Sequence, residues 1–104
     1  MTIYGYEWDD RKNRANLEKH GLSFDLAVEI FAHPVLLAED PRRYETVRGV
    51  ERRYIAIGEI GGVVVIVVVF TWRGEKRRIV SARKANRNER EAYKAWHEAR
   101  HAGG

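Results

Sequence analysis

The sequence predicts an α+β fold: a small antiparallel β-sheet of about four to five strands, packed by two N-terminal helices and followed by a C-terminal helix. Three observations predict it. Residues 63–70, "VVVIVVVF", are an unbroken apolar run bounded by Gly61-Gly62 and by "RGE" from Arg73. That length suits a buried strand, and the glycines suit tight hairpins. Upstream, Phe24, Leu26, Ala27, Ile30 and Phe31 recur at helical spacing. Downstream, Asn86 and Glu89 make a capping-box pattern ahead of Ala92, Tyr93, Trp96 and Ala99.

Each element follows in order. Ile3 and Tyr4, with the "GYEW" that follows, read as a first strand over about residues 2–8. Asp9 or Asp10 then caps a helix that ends at Gly21, a residue suited to the left-handed C-terminal position. Leu17 is this helix's only large aliphatic residue, while Lys12, Asn16 and Lys19 share one narrow face. His20 falls between that face and the Leu17 side. Ser23 caps a second helix, "FDLAVEIFA", whose apolar stripe should be the main cover of the sheet. His33-Pro34 ends it, because the residue before proline avoids helical geometry. Residues 35–40 form the second strand, and a polar loop covers about residues 41–50.

A meander completes the sheet. "RRYIAIGEI" leads through the two glycines into "VVVIVVVFTW", and "RGE" turns the chain into "KRRIVSARKA". A half-solvated antiparallel strand alternates apolar and polar residues. Residues 63–70 do not, so both faces of that strand should be covered. The helices near the N-terminus can cover one; the last helix, a partner protein or both must meet the other. Left bare, such a face would aggregate. On the strand that follows, simple alternation sends Arg77, Ile79, Ser81 and Arg83 one way, and Arg78, Val80, Ala82 and Lys84 the other. Guanidinium groups are thereby held on a rigid element beside the best-packed strand.

Charge is unevenly spread. Residues 1–51 carry 7 Lys/Arg against 10 Asp/Glu, and residues 52–104 carry 12 against 5. Between residues 73 and 90 there are 8 basic and 2 acidic residues, a density that attracts polyanions. The bland alternative is a solvated basic face. The 104 residues suit one domain. With no cysteine there is no disulfide framework or thiolate metal site. The N-terminus lacks a signal-peptide pattern, and the apolar run is far short of a membrane span. A cytoplasmic protein without membrane attachment is expected.

"YEWDDRKNRANLEKHGLSFDLAVEIF", the G-x-E-R at residues 49–52, "FTWRG" and "RIVSARKANRNER" together resemble the BrnT family. These are toxins of bacterial type II toxin–antitoxin systems, related in fold to the RelE/ParE group. The resemblance spans residues 6–93. It implies a ribonuclease that cuts RNA without a metal or nucleotide cofactor. It also implies a BrnA-like antitoxin with a ribbon-helix-helix part, and operator DNA bound only through the toxin–antitoxin complex.

Such cleavage uses the ribose 2′-OH as nucleophile. It needs a base, an acid, and cations on the phosphoryl oxygens. Arg83 is the first candidate for the cation, since the guanidinium fork matches two oxygens. Its structural alternative is an ion pair with Glu89. Arg52 and Arg53 alternate, so only one can share a cleft with Arg83; Arg52 is preferred, as it matches the family-like G-x-E-R. His20 is the candidate acid or base, against the simpler reading of a cation favoured at a helix C-terminus. Glu59 is an alternative base. Lys12, Lys19, Arg73 and Lys84 are candidates for RNA phosphates, with plain solvation as their alternative. Trp72 beside Arg73 is the best stacking residue for an unpaired base, although most aromatics here should pack in the core.

"HEARH" satisfies the H-E-x-x-H pattern of a zinc helix. Only "AGG" follows, so no third ligand lies downstream. No metal is expected. Two other functions fit the residues: a non-catalytic nucleic-acid-binding module, and a module whose remaining role is to pair with its antitoxin.

Overall fold

The computed structural model describes residues 5–102 of the chain. Its main sheet has five strands in the order β1-β7-β6-β5-β2. They are β1 (Tyr6–Glu7), β2 (Leu36–Glu39), β5 (Tyr54–Ile60), β6 (Val64–Arg73) and β7 (Lys76–Lys84). A separate hairpin pairs β3 (Tyr44–Thr46) with β4 (Gly49–Glu51). The helices are α1 (Asp10–His20), α2 (Phe24–Ala27) and α3 (Arg87–Ala102).

The α+β class and the meander β5-β6-β7 are as expected, but the sheet is mixed. β1 lies parallel to β7, with Tyr6 opposite Arg77 and Glu7 opposite Arg78. Of the expected first strand, residues 2–4 lie outside the described residues. The loop expected over residues 41–50 contains the β3–β4 hairpin. Asp40 anchors it by accepting hydrogen bonds from the backbone N–H and guanidinium of Arg42 and from the Tyr44 hydroxyl.

Both hairpin turns of the meander follow from glycine. Gly61 and Gly62 sit at φ of 62° and 69°, a pair of left-handed positions that a two-glycine turn adopts without strain. The second helix keeps its place but not its form. It is α-helical only over Phe24–Ala27, and Val28–Ala32 winds on as a 3₁₀ segment. Within this segment Ile30 stands against β5 at Gly58. A β-carbon there would stand 2.8 Å from the Ile30 β-carbon. The expected Ser23 cap makes no side-chain bond; Asn13 Oδ1 accepts from the Phe24 N–H at 2.8 Å instead.

β6 is covered on both sides, as its composition requires. Ile66, Val68 and Phe70 join Trp8, Leu22, Phe24 and Ile30 in one cluster. Val67 joins Ile57, Ala85 and Tyr93 in the other, with Trp96 and Val65 packed against it. α3 therefore closes the second face.

α1 docks by a polar group. Asn16 is buried, while Leu17 is 49% exposed. The Asn16 amide donates to Leu22 O at 2.8 Å and Ala82 O at 2.7 Å, and its oxygen accepts from Ala82 N at 3.2 Å. β1 covers the outer edge of β7 only at Arg77 and Arg78. At Ala82 Asn16 replaces the missing neighbour strand, satisfying both backbone groups.

A bulge corrects the expected alternation of β7. Val69 faces Ser81 and Phe70 faces Ile79, so Val80 is an extra residue. Ile79 and Ala82 consequently point into the same core. Arg77, which shares the face of Ile79, is turned away from Arg83, which lies opposite Val67 on the α3 face.

Candidate functional site

The C-terminal end of β7 gathers three of the expected residues. Arg83 donates from Nη1 and Nη2 to the two carboxylate oxygens of Glu89, at 2.7 and 2.8 Å. Glu89 also accepts from the Asn86 N–H at 2.9 Å, and Asn86 Oδ1 accepts from the Glu89 N–H at 2.8 Å. The capping box read from the sequence therefore doubles as a clamp on Arg83. The Arg83 bond holds the Glu89 carboxyl below its usual range despite burial, and the same bond raises the already high pKa of Arg83. A guanidinium has five N–H donors, so the pair leaves others of Arg83 unused. Its side chain is 41% exposed.

Lys84 follows, exposed, on the α1 face. α1 runs alongside β7 in the same sense: the charge of Arg78 acts on Asp9 at its start, and Asn16 bonds Ala82. His20 lies one turn past Asn16 and Lys84 two residues past Ala82, each an advance of about 6 Å. His20 thus comes level with Lys84. It is half-buried, and its imidazole makes no hydrogen bond or ion pair among the described residues.

Arg52 stands elsewhere. Thr71 Oγ1 donates to its carbonyl at 2.7 Å, which puts it at the opposite end of the sheet. It precedes β5 rather than opening it, and its exposed guanidinium reaches Glu39 at 3.9 Å. There Arg52, Trp72 and Arg73 line a cleft of about 360 Å³ beside the β3–β4 hairpin. Trp72 packs edge-on against Phe70 at 5.7 Å yet remains 44% exposed. Lys12 and Lys19 are exposed on α1.

Two further cations, Arg53, which sequence reading set behind Arg52, and Arg77, are held in defined positions. Arg53 donates to Glu51 at 2.9 Å and lies 3.9 Å over the Tyr44 ring. Arg77 is held among Phe31, Trp72 and Phe70, at 4.4, 4.8 and 5.5 Å from their ring centres, and its buried Nε has no hydrogen-bond partner. The Arg77 cage depends on contacts between distant segments, which no local pattern marks, whereas Arg53 pairs locally with Glu51. His97 and His101 of the H-E-x-x-H lie on one side of α3, in a cleft with His33 and Glu59. Among the described residues, no three imidazole or carboxylate groups converge on a point that could hold a metal ion. No helix among them is long and apolar enough to cross a membrane.

Fold and site together describe a small α+β protein with cations fixed at the ends of its strands. The family model of the ribonuclease toxin BrnT, of type II toxin–antitoxin systems, matches residues 8–89. The chain belongs to that family. Among solved structures it is similar to the Brucella abortus ribonuclease toxin BrnT, at 32% identity and a TM-score of 0.58. That match covers 79% of this chain and 96% of the other. No curated protein matches significantly.

Proposed function

We propose that this toxin cuts RNA internally, without a metal ion, by attack of a ribose 2′-OH on the adjacent phosphate at the C-terminal end of β7. The observation that carries the reading is the Arg83–Glu89 clamp. It holds a permanent cation in one orientation on a strand end, with donors still free for two phosphoryl oxygens. Lys84 adds charge from the other face of the strand. His20, level with Lys84 and without a partner among the described residues, is placed to move a proton to or from the reacting oxygens. The phosphodiester lies across the strand end, so that groups from both faces reach it.

Arg52, Trp72 and Arg73 belong on this reading to the path of the flanking RNA, together with Lys12 and Lys19 on α1. The partner is a BrnA-like antitoxin with a ribbon-helix-helix part, through which the complex binds and represses its operator. Kinship in fold with RelE/ParE toxins is part of the same reading.

The test is cleavage of a defined RNA in EDTA, with both product termini identified. A 2′,3′-cyclic phosphate and a 5′-hydroxyl are expected. Loss of cleavage in EDTA, or a 5′-phosphate product, contradicts the mechanism.

A further inference from the structure

A second cleft, of about 400 Å³, opens between the C-terminal half of α3, the Gly61-Gly62 turn and His33-Pro34. Arg83, Lys84 and His20 do not line it, and Glu59, the alternative base read from the sequence, does. Its volume falls in the range of small-ligand sites. Its walls combine one acid, one arginine, three histidines and aromatic rings. Glu59 projects from β5, and Tyr93, Trp96 and Arg100 line it from one face of α3.

These groups are already organised. Tyr93 and Glu59 both line the cleft; burial first, and then the Glu59 charge, push the phenol pKa of Tyr93 up, so it keeps its proton. A carboxylate has about four acceptor positions, so Glu59 keeps room for further donors. The Arg100 guanidinium stands 5.1 Å over the Trp96 ring. His97 stacks on Tyr93 at 5.7 Å and 22°. Gly61 and Gly62 leave the rim without side chains.

We propose that this cleft binds a guanine base of the RNA substrate, with Glu59 accepting from its N1–H and N2–H donors and Arg100 facing O6 and N7. Guanine alone among the four RNA bases places two adjacent donors beside two adjacent acceptors. The amino groups of adenine and cytosine stand next to a ring-nitrogen acceptor, which a carboxylate repels. Uracil flanks its single N–H with carbonyls. Arg paired to O6 and N7 is a familiar guanine contact, and the rings offer stacking surface. From Glu89, beside Arg83, to Trp96 the helix advances about 10 Å. A strand bound at Arg83 can therefore reach the cleft along α3. RNA as the source of the base rests on the ribonuclease reading; a free guanine nucleotide offers the same ring.

The experiment has two arms. Calorimetry of the full chain with GMP, AMP, CMP and UMP should show GMP bound about tenfold more tightly than the others. Glu59→Gln should erase that preference. Arg100→Gln, at an exposed position and so no risk to folding, should weaken GMP alone by about tenfold. Equal binding of the four nucleotides, or GMP binding unchanged in both variants, overturns the proposal. Should Glu59→Gln not fold, Arg100→Gln decides. In the second arm, cuts in a mixed-sequence RNA should fall at a fixed offset from guanine. Cuts without guanine bias sink the base site and leave the ribonuclease reading standing. Selective GMP binding with no cleavage of any RNA sinks the ribonuclease reading and leaves a site for free guanine nucleotides.

Discussion

Asn16 joins α1 to the sheet through a single side chain, and its chemistry is specific. It needs donor and acceptor at once, because it meets both the N–H and the carbonyl of Ala82. Asn16→Asp removes the donors and sets a carboxylate against two buried carbonyls. We expect a loss of about 3 kcal/mol in urea unfolding, where a surface change at Lys19 costs under about 0.5 kcal/mol. Glu89 carries a pH signature. Its folded pKa is depressed below the ordinary 4.5 by the bond from Arg83. The clamp's contribution is therefore full above that value and is lost as pH falls through it toward the folded pKa. Glu89→Gln keeps the cap but not the charge. The difference in melting temperature between wild type and variant should be largest near neutrality and shrink as pH falls below 4.5. A difference independent of pH contradicts the assignment. None of this was legible for Asn16, which sequence reading placed among exposed lysines. An asparagine in a helix names no partner 66 positions away.

At the scale of elements, local signals were read well and non-local ones were not. The glycine turns, the capping box at α3 and the apolar β6 depend on neighbouring residues, and all three appear as expected. The parallel pairing of β1, the β3–β4 hairpin and the bulge at Val80 depend on what each segment meets. The bulge mattered most, since it separated Arg77 from Arg83 and so rearranged the expected cationic face. The 3₁₀ segment is similarly a product of contact. Ile30 approaches β5 where Gly58 leaves no β-carbon. Gly58→Ala should cost about 1–3 kcal/mol through overpacking, although alanine is the better strand former. A neutral or stabilising result in thermal unfolding would show that the segment rides loosely on the sheet.

Across the whole molecule, the sheet works as a wall with two purposes. One face is closed by α2, the 3₁₀ segment and a large apolar cluster; the other is closed by α3 and a smaller one. Cations collect where these covers stop, at the two ends of the strands. RNA binding should accordingly fall steeply with salt, with a slope of about −0.7 for each phosphate neutralised. Arg73→Ala should reduce that slope by about 0.7, measured on an uncleavable RNA. A slope unchanged by this variant would remove the far end of the sheet from the RNA path. Of the candidate site, the residue types and Arg83 with its Glu89 partner were legible, because they lie six residues apart. The separation of Arg52 from His20 was not, because it is set by the order of strands. The central claim is that His20 and Arg83 act on one phosphodiester across the end of β7. Single-turnover cleavage by His20→Ala, Arg83→Ala and the double variant tests it most directly. Each single change should slow cleavage by about 100-fold or more, and the double variant should be little slower than the worse single one. Fully multiplicative losses, or a His20→Ala variant that cleaves at the normal rate, would contradict it.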